Sequence, residues 1–271
     1  MSTPNNIPTS ILDGTDEIIT KHLNQFTPRG EKKKFTTKTT LIEVCRVRGE
    51  LDLLNLLIDI WNQIESNWID GGRLPGGCDN WRWEPKLYIH AENRSAETRL
   101  EKGLATALPR ENWANQVPTS SGLVSSDADH KRNIDLVRWD GIDTVTLIEL
   151  KAPTAAATTK QTPLLAAFEI VQNALLLCFA RAHQESNPPI RIARREIWLH
   201  AKRANLRVVA PERFYDPLHS LNWFEQELNR AVSAFRKPNS PEMSFSFNVF
   251  DLTAIFHEAV ERSRAYPLSA E

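Results

Sequence analysis

Two carboxylates and an amine, Asp135, Glu149 and Lys151, are set at intervals that adjoining β-strands can bring to one point. A hard divalent ion such as Mg²⁺ takes one or two carboxylates and completes its shell with water and phosphate oxygens. A neighbouring ammonium can orient the attacking water and help hold its deprotonated form for attack on phosphorus. The trio therefore suits metal-assisted hydrolysis of a phosphate ester. The plainer alternative is a solvated strand end with an ordinary Glu–Lys pair. Against it, Glu149 and Lys151 follow the apolar run Val145-Thr146-Leu147-Ile148, where a surface ion pair has little reason to be.

Placing these groups together requires a hairpin. Ile134 to Trp139 and Thr144 to Lys151 are rich in β-branched and apolar residues, with turn chemistry in Asp140-Gly141-Ile142-Asp143 between them. With Gly141, Ile142 and Asp143 as the loop, Asp140 pairs with Thr144, Trp139 with Val145, and Asp135 comes to face Glu149. Side chains directly opposed in an antiparallel pair lie about 4.5–5.5 Å apart at Cβ, and like charges there destabilise unless a cation compensates. Strand alternation sends Lys151 to the face of Glu149, and Ile148 and Leu150 to the other.

At these residues the sequence resembles the PD-(D/E)xK nuclease superfamily, whose signature is an Asp on one strand and Glu-x-Lys on the next. Asp135 followed by Glu149-Leu150-Lys151 matches in order and spacing, with Ile134 where a Pro is usual. The resemblance implies a Mg²⁺-dependent nuclease, with Mn²⁺ as a substitute, that hydrolyses DNA phosphodiester bonds. Asp135 and Glu149 would bind the metal, the main-chain carbonyl of Leu150 would be a further ligand, and Lys151 would position the attacking water. Superfamily members typically add a third acid from the helix before the sheet. Glu97 is the preferred candidate and Glu101 the other, because helix register relative to the sheet is not legible here. Gln172 is nominated on the helix after the hairpin, although a helix-internal hydrogen bond or a solvent contact would equally explain it. The implied fold is α/β, a restriction-endonuclease-like αβββαβ core with a mixed central sheet flanked by helices, covering roughly Arg94 to Val209.

The surrounding chain supplies those elements. Leu51 to Trp68 repeats Leu54, Leu57, Ile58, Trp61, Ile64 and Trp68 at helical spacing, and ends before the Gly-rich connector Gly71 to Gly77. Ser95 can cap a helix from Ala96 to Leu108 with Leu100, Leu104 and Leu108 inward. Trp113 to Val124 should contain the first strand, followed by a polar loop, Ser125 to Lys131. Thr162 and Pro163 start a helix to about His183 that is apolar nearly all round. Arg195 to Lys202 reads as the fourth strand, with Leu206 to Val209 as its continuation or a fifth. A helix over Leu221 to Phe235, a strand over Met243 to Phe250 and a helix over Thr253 to Arg264 follow. Residues 1–85 form an N-terminal helical extension, and 86–271 the nuclease-like domain with a helix-strand-helix addition.

A chain of 271 residues with 41% hydrophobic and 25% charged residues has an ordinary globular composition. Its net charge of -1 means that phosphate recognition must come from a local patch. Arg195, Lys202 and Arg203, in the densest basic region, are the DNA-binding candidates, with plain surface charge as the alternative. The basic run Arg29 to Lys38 reads more readily as a solvated loop. Cys45, Cys78 and Cys178 suggest neither a disulfide framework nor a zinc site. No signal peptide or membrane-length window is expected, so the reading is a cytoplasmic protein with DNA as partner, no membrane, and a homo-oligomer or larger defence complex left open. Restriction, phage defence and repair are all roles of the wider superfamily. Two alternatives stand beside this: a noncatalytic nucleic-acid-binding or assembly module on the same fold, and a nuclease acting on RNA.

Overall fold

A mixed β-sheet with helices on both faces forms the body of the protein. The structure, a computed structural model, describes residues 8, 10–24, 51–71, 81, 83, 86–88, 95–109, 112–119, 132–141, 143–152, 162–183, 200–215, 222–249 and 264–265. In order these are α1 (Thr15–Asn24), α2 (Leu53–Gly71), α3 (Ala96–Ala107), β1 (Trp113–Pro118), β2 (Asn133–Trp139), β3 (Thr144–Leu150), α4 (Pro163–Ala182), β4 (Arg203–Ala210), α5 (Glu212–Tyr215), α6 (Asn222–Ala234), β5 (Glu242–Val249) and β6 (Arg264–Ala265). The spatial order of the strands follows the chain, five strands and a two-residue sixth at the edge. β1, β2 and β3 form an antiparallel meander, and β4 and β5 continue parallel to β3.

A parallel step needs a crossover, and α4 supplies the one from β3 to β4. Thr162 starts it, its hydroxyl accepting the Leu165 N–H at 3.1 Å with Pro163 in the first turn. Contrary to the expectation from sequence, α4 is one helix among the described residues that is long and apolar enough to cross a membrane. Of that apolar window, 89% is buried inside the protein, where α4 lies along β2, β3 and β4.

Alternation divides the apolar residues of the sheet between two cores. Leu136, Ile148, Leu150 and Val209 meet Leu100, Leu104 and Leu108 of the α3 segment on one face. Val137, Val145 and Leu147 meet α4 on the other, in a larger core that also takes in α1, α2 and α6. There Trp61 packs against Phe179 and Phe235, with ring centroids 5.6 and 5.7 Å apart. Ile11, Ile19 and Leu23 reach the same core from the N-terminal region, and Trp81 and Trp83 join it.

Several expectations need correction. The inner line of α2 is Leu53, Leu56, Leu57, Ile60, Trp61, Ile64 and Asn67, leaving Leu54, Ile58 and Trp68 half-buried. Asn67 joins the inner line because its Nδ2 donates to the carbonyls of Ile11 and Asp13, at 2.9 and 2.7 Å. Among the described residues the fourth strand begins at Arg203, with His200, Ala201 and Lys202 outside it. The Asp143 carbonyl accepts the N–H groups of Lys202 and Arg203 at 2.7 and 3.0 Å, which pins the start of β4 to the hairpin turn. His200, expected inside that strand, precedes it and is exposed. Arg264 belongs to β6 instead of ending a helix. The readings of Arg29 to Lys38, the glycines after Gly71, Ser125 to Lys131, Arg195, Cys45 and Cys78 fall outside the described residues.

Candidate active site

The hairpin takes the expected register, with Trp139 opposite Val145 and Leu136 opposite Ile148. Its loop closes through the Asp140 N–H to the Thr144 carbonyl at 3.0 Å, with Gly141 at φ +92°, where glycine carries no steric cost. The registered pairs stop at Leu136–Ile148. One step further, Leu150 N–H donates to the carboxylate of Asp135, Oδ2, at 2.8 Å.

A break on the other side of β2 coincides with this point. β1 and β2 pair at Asn115–Leu136 and again at Val117–Ile134, but the intervening step, Gln116 opposite Asp135, is missing. Gln116 has φ 45°, a left-handed conformation that costs a non-glycine residue about 1–2 kcal/mol. Alternation therefore slips on both strands: Ala114 and Val117 share the larger core, as do Ile134 and Val137. Asp135 stands at this irregularity, where its side chain is released from the regular ladder.

Asp135, Glu149 and Lys151 line one cleft of about 420 Å³ with Asp16, Glu97, Arg132, Asn133, Glu169, Gln172 and Asn173. Glu149 and Lys151 are only 7% and 6% exposed. Lys151 Nζ donates to Glu149 Oε1 at 2.8 Å and to Glu169 Oε2 at 3.5 Å. Burial pushes Asp135 up to about 7, assisted by the charges of Glu101 and Glu169 and opposed by Lys151. Burial likewise pushes Glu149 up to about 7, with the Asp135 charge as the next cause. Glu169 also rises to about 7 through burial and the charge of the neighbouring Glu149, opposed by Lys151 and Arg132. Burial alone would lower Lys151, yet Glu149, Glu169, Asp135 and Glu97 hold it well above the ordinary lysine value. It stays an ammonium at physiological pH, suited to holding negative charge and not to accepting a proton.

α3 presents both acid candidates, and the structure separates them. Ser95 caps the helix by accepting the Thr98 N–H at 3.2 Å. Glu101 is spent on structure: its oxygens accept from Asn115 Nδ2 at 2.7 Å and Gln116 Nε2 at 3.2 Å. Burial lifts it to about 7, partly offset by those bonds. Glu97 instead lines the cleft, and its buried Oε1 has no partner.

Gln172 is 1% exposed and borders the cleft. Its Nε2 donates to Thr15 Oγ1 at 2.9 Å and Asp16 Oδ1 at 3.0 Å, and its Oε1 accepts from Arg132 Nη1 at 3.2 Å. Sequence reading missed Asp16 and Arg132. Asp16 sits in the first turn of a short helix with an ordinary acidic start, and Arg132 flanks a strand, so neither carries a local signal. Lys202 and Arg203 are not brought to this cleft. Arg203 pairs with Thr144, about 20 Å along the strand from Lys151, and its Nη2 is bound to Asp143 Oδ1 at 2.8 Å. Arg195 lies outside the described residues.

Among the described residues, no three His, Cys, Asp or Glu side chains already converge as a ready-made metal cage. Glu149 is instead paired with the Lys151 ammonium. The donor set nevertheless fits a hydrated Mg²⁺, which asks for few protein oxygens. Glu97 Oε1 is buried without a partner, and three cleft carboxyls are raised to about 7, chiefly by burial. No protein-family model, no curated protein and no solved structure matches the chain.

Proposed function

We propose that this protein is a Mg²⁺-dependent deoxyribonuclease of the PD-(D/E)xK type that hydrolyses phosphodiester bonds. The observation that carries the reading is the placement of Lys151 as a buried ammonium among Asp135, Glu149 and Glu169, in a cleft also lined by Glu97, whose buried Oε1 has no partner. The order of elements adds support: α3, an antiparallel β1–β2–β3 meander, the α4 crossover and parallel β4 are what an αβββαβ core requires.

Asp135, Glu149 and Glu97 would hold the ion, with the main-chain carbonyl of Leu150 as a further oxygen. When bound, Mg²⁺ supplies Lewis-acid charge to the phosphate and lowers the pKa of water. Lys151 contributes a fixed ammonium that orients the attacking water and stabilises its developing negative charge. Asp135 is held by the Leu150 amide, so its second oxygen is left to face the cleft. Glu169 lies across Lys151 from Glu149 and keeps the ammonium between them.

Incubating supercoiled plasmid with the protein in Mg²⁺ or Mn²⁺ tests this directly. Nicked or linear product is expected with either ion, none with EDTA, and none with Lys151→Gln. Cleavage that survives EDTA, or that Lys151→Gln retains, overturns the assignment. Running single-stranded RNA in parallel decides between the two polymers.

A further inference from the structure

The cleft holds two cations, and only one of them is committed to a carboxylate. Lys151 is engaged by Glu149 and Glu169. Arg132 makes no ion pair among the described residues; its one side-chain bond is from Nη1 to the neutral amide oxygen of Gln172. A guanidinium carries five N–H donors in a planar fork, and beyond the bond to Gln172 the charge of Arg132 acts on Glu169 without a direct ion pair. Its position is well defined all the same. The Arg132 carbonyl accepts from Thr119 N and Oγ1 at 3.0 and 3.2 Å, which ties the residue to the end of β1. The side chain leans on Gln172, itself braced by Thr15 and Asp16. Beside it Asn173, 3% exposed, lines the cleft with a carboxamide oxygen that no donor meets. This wall is polar and only partly satisfied.

We propose that Arg132 is the phosphate anchor of this cleft, gripping the phosphate next to the one attacked, and that Gln172, braced by Thr15 and Asp16, positions it. The inference rests on the nuclease reading for the identity of the ligand, a nucleic-acid backbone, and on the geometry alone for the anion site. Arg forks match paired phosphate oxygens in a way a lysine point charge does not. It also gives α1, far away in sequence, a place in substrate binding: its Asp16 faces the side chain that aligns the anchor.

Binding of a fluorescein-labelled DNA duplex, followed by anisotropy with Ca²⁺ in place of Mg²⁺ across a KCl series, tests the anchor. Arg132→Gln is expected to weaken binding about tenfold and to lower the slope of log K against log salt by about one, the signature of one lost phosphate contact. Arg132→Lys should keep the slope and lose part of the affinity. Asp16→Asn should weaken binding severalfold with the slope unchanged; no change there refutes the positioning role. Thermal shift with inorganic tripolyphosphate gives a second measurement free of DNA, with protection expected for the wild type and not for Arg132→Gln. Wild-type affinity, slope and protection in Arg132→Gln overturn the proposal. If plasmid cleavage persists in that case, the anchor fails while the nuclease reading stands. If tripolyphosphate binds through Arg132 and the wild type cuts nothing, the nuclease reading fails while the anion site stands.

Discussion

Asp135 Oδ2 accepts the Leu150 amide hydrogen at 2.8 Å, so a side chain joins β2 to β3 where the regular pairing has stopped. The same carboxyl is pushed up to about 7 by burial, and its ionised form therefore opposes folding at alkaline pH. Asp135→Asn keeps an acceptor for Leu150 and removes the buried charge. Asp135→Ala leaves a buried amide without its partner, which costs about 1–3 kcal/mol. In urea denaturation at about pH 8, Asp135→Asn should be at least as stable as the wild type and Asp135→Ala clearly less so. Both should lose cleavage. Equal stability of the two variants would mean that the bond to Leu150 holds nothing.

Among the described residues, Lys151 is the ammonium paired with the buried Glu149 and the half-buried Glu169, with Asp135 beside them. Replacing it with Met leaves those charges uncompensated, and breaking a buried pair from one side costs about 3–5 kcal/mol. The carboxyls can escape by binding protons below about 7. Lys151→Met should therefore melt far below the wild type at about pH 8 and much closer to it at about pH 5.5. Activity must be read where the variant is folded, and it should still fall about 100-fold or more. A pH-independent loss of melting temperature would contradict this account.

The hairpin was legible from sequence because its signals are local: β-branched runs, a turn containing Gly141, and a register that follows from loop length. So were the caps at Ser95 and Thr162, where a hydroxyl precedes each helix. The face of α3 that meets the sheet was legible too, because Leu100, Leu104 and Leu108 recur at helical spacing. What depends on contacts distant in sequence was not. The bond from Gln172 to Asp16 joins residues 156 positions apart, and no periodicity announces it. The distance of Arg203 from the acids was not legible for a related reason. Local charge density singled it out, which carries no information on distance, and the parallel pairing of β4 with β3 sets Arg203 opposite Thr144, at the other end of β3 from Glu149.

Glu97 and Glu101 should behave as different kinds of residue. Glu101→Gln alters the bonds to Asn115 and Gln116 at the bent point of β1, so its main effect should be on stability. Glu101→Ala, which leaves the buried Asn115 amide short of an acceptor, should cost about 1–3 kcal/mol. Glu97→Gln removes a charge whose oxygen binds nothing in the protein, so the melting temperature in EDTA should hold or rise slightly. Its apparent affinity for Mg²⁺ should fall about tenfold, within the range seen when groups around a metal are altered. Titrating Mg²⁺ against melting temperature for both variants checks the assignment. A Glu101 variant that loses Mg²⁺ affinity while Glu97→Gln keeps it reverses the roles.

Stability should fall with rising pH, and Mg²⁺ should restore it. Glu101, Asp135, Glu149 and Glu169 are all raised to about 7, chiefly by burial. Between their ordinary values near 4 and about 7 the folded protein binds more protons than the unfolded chain, so the unfolding free energy declines as pH climbs through that window. The contribution of these groups is complete below about pH 4 and is lost above about 7. Lys151, shifted upward, remains charged throughout and adds no slope there. Mg²⁺ binds ionised carboxylates, and a ligand at 100 times its dissociation constant stabilises by about 2.7 kcal/mol. Melting temperature in EDTA should therefore drop between about pH 5.5 and 8, and millimolar Mg²⁺ should raise it at the upper value while leaving the lower nearly unchanged. Glu149→Gln should flatten the pH slope and remove most of the Mg²⁺ effect, because it deletes one of the buried charges that the ion would neutralise. A Mg²⁺ effect of equal size at both pH values, or one undiminished in Glu149→Gln, would place the ion somewhere other than this cleft.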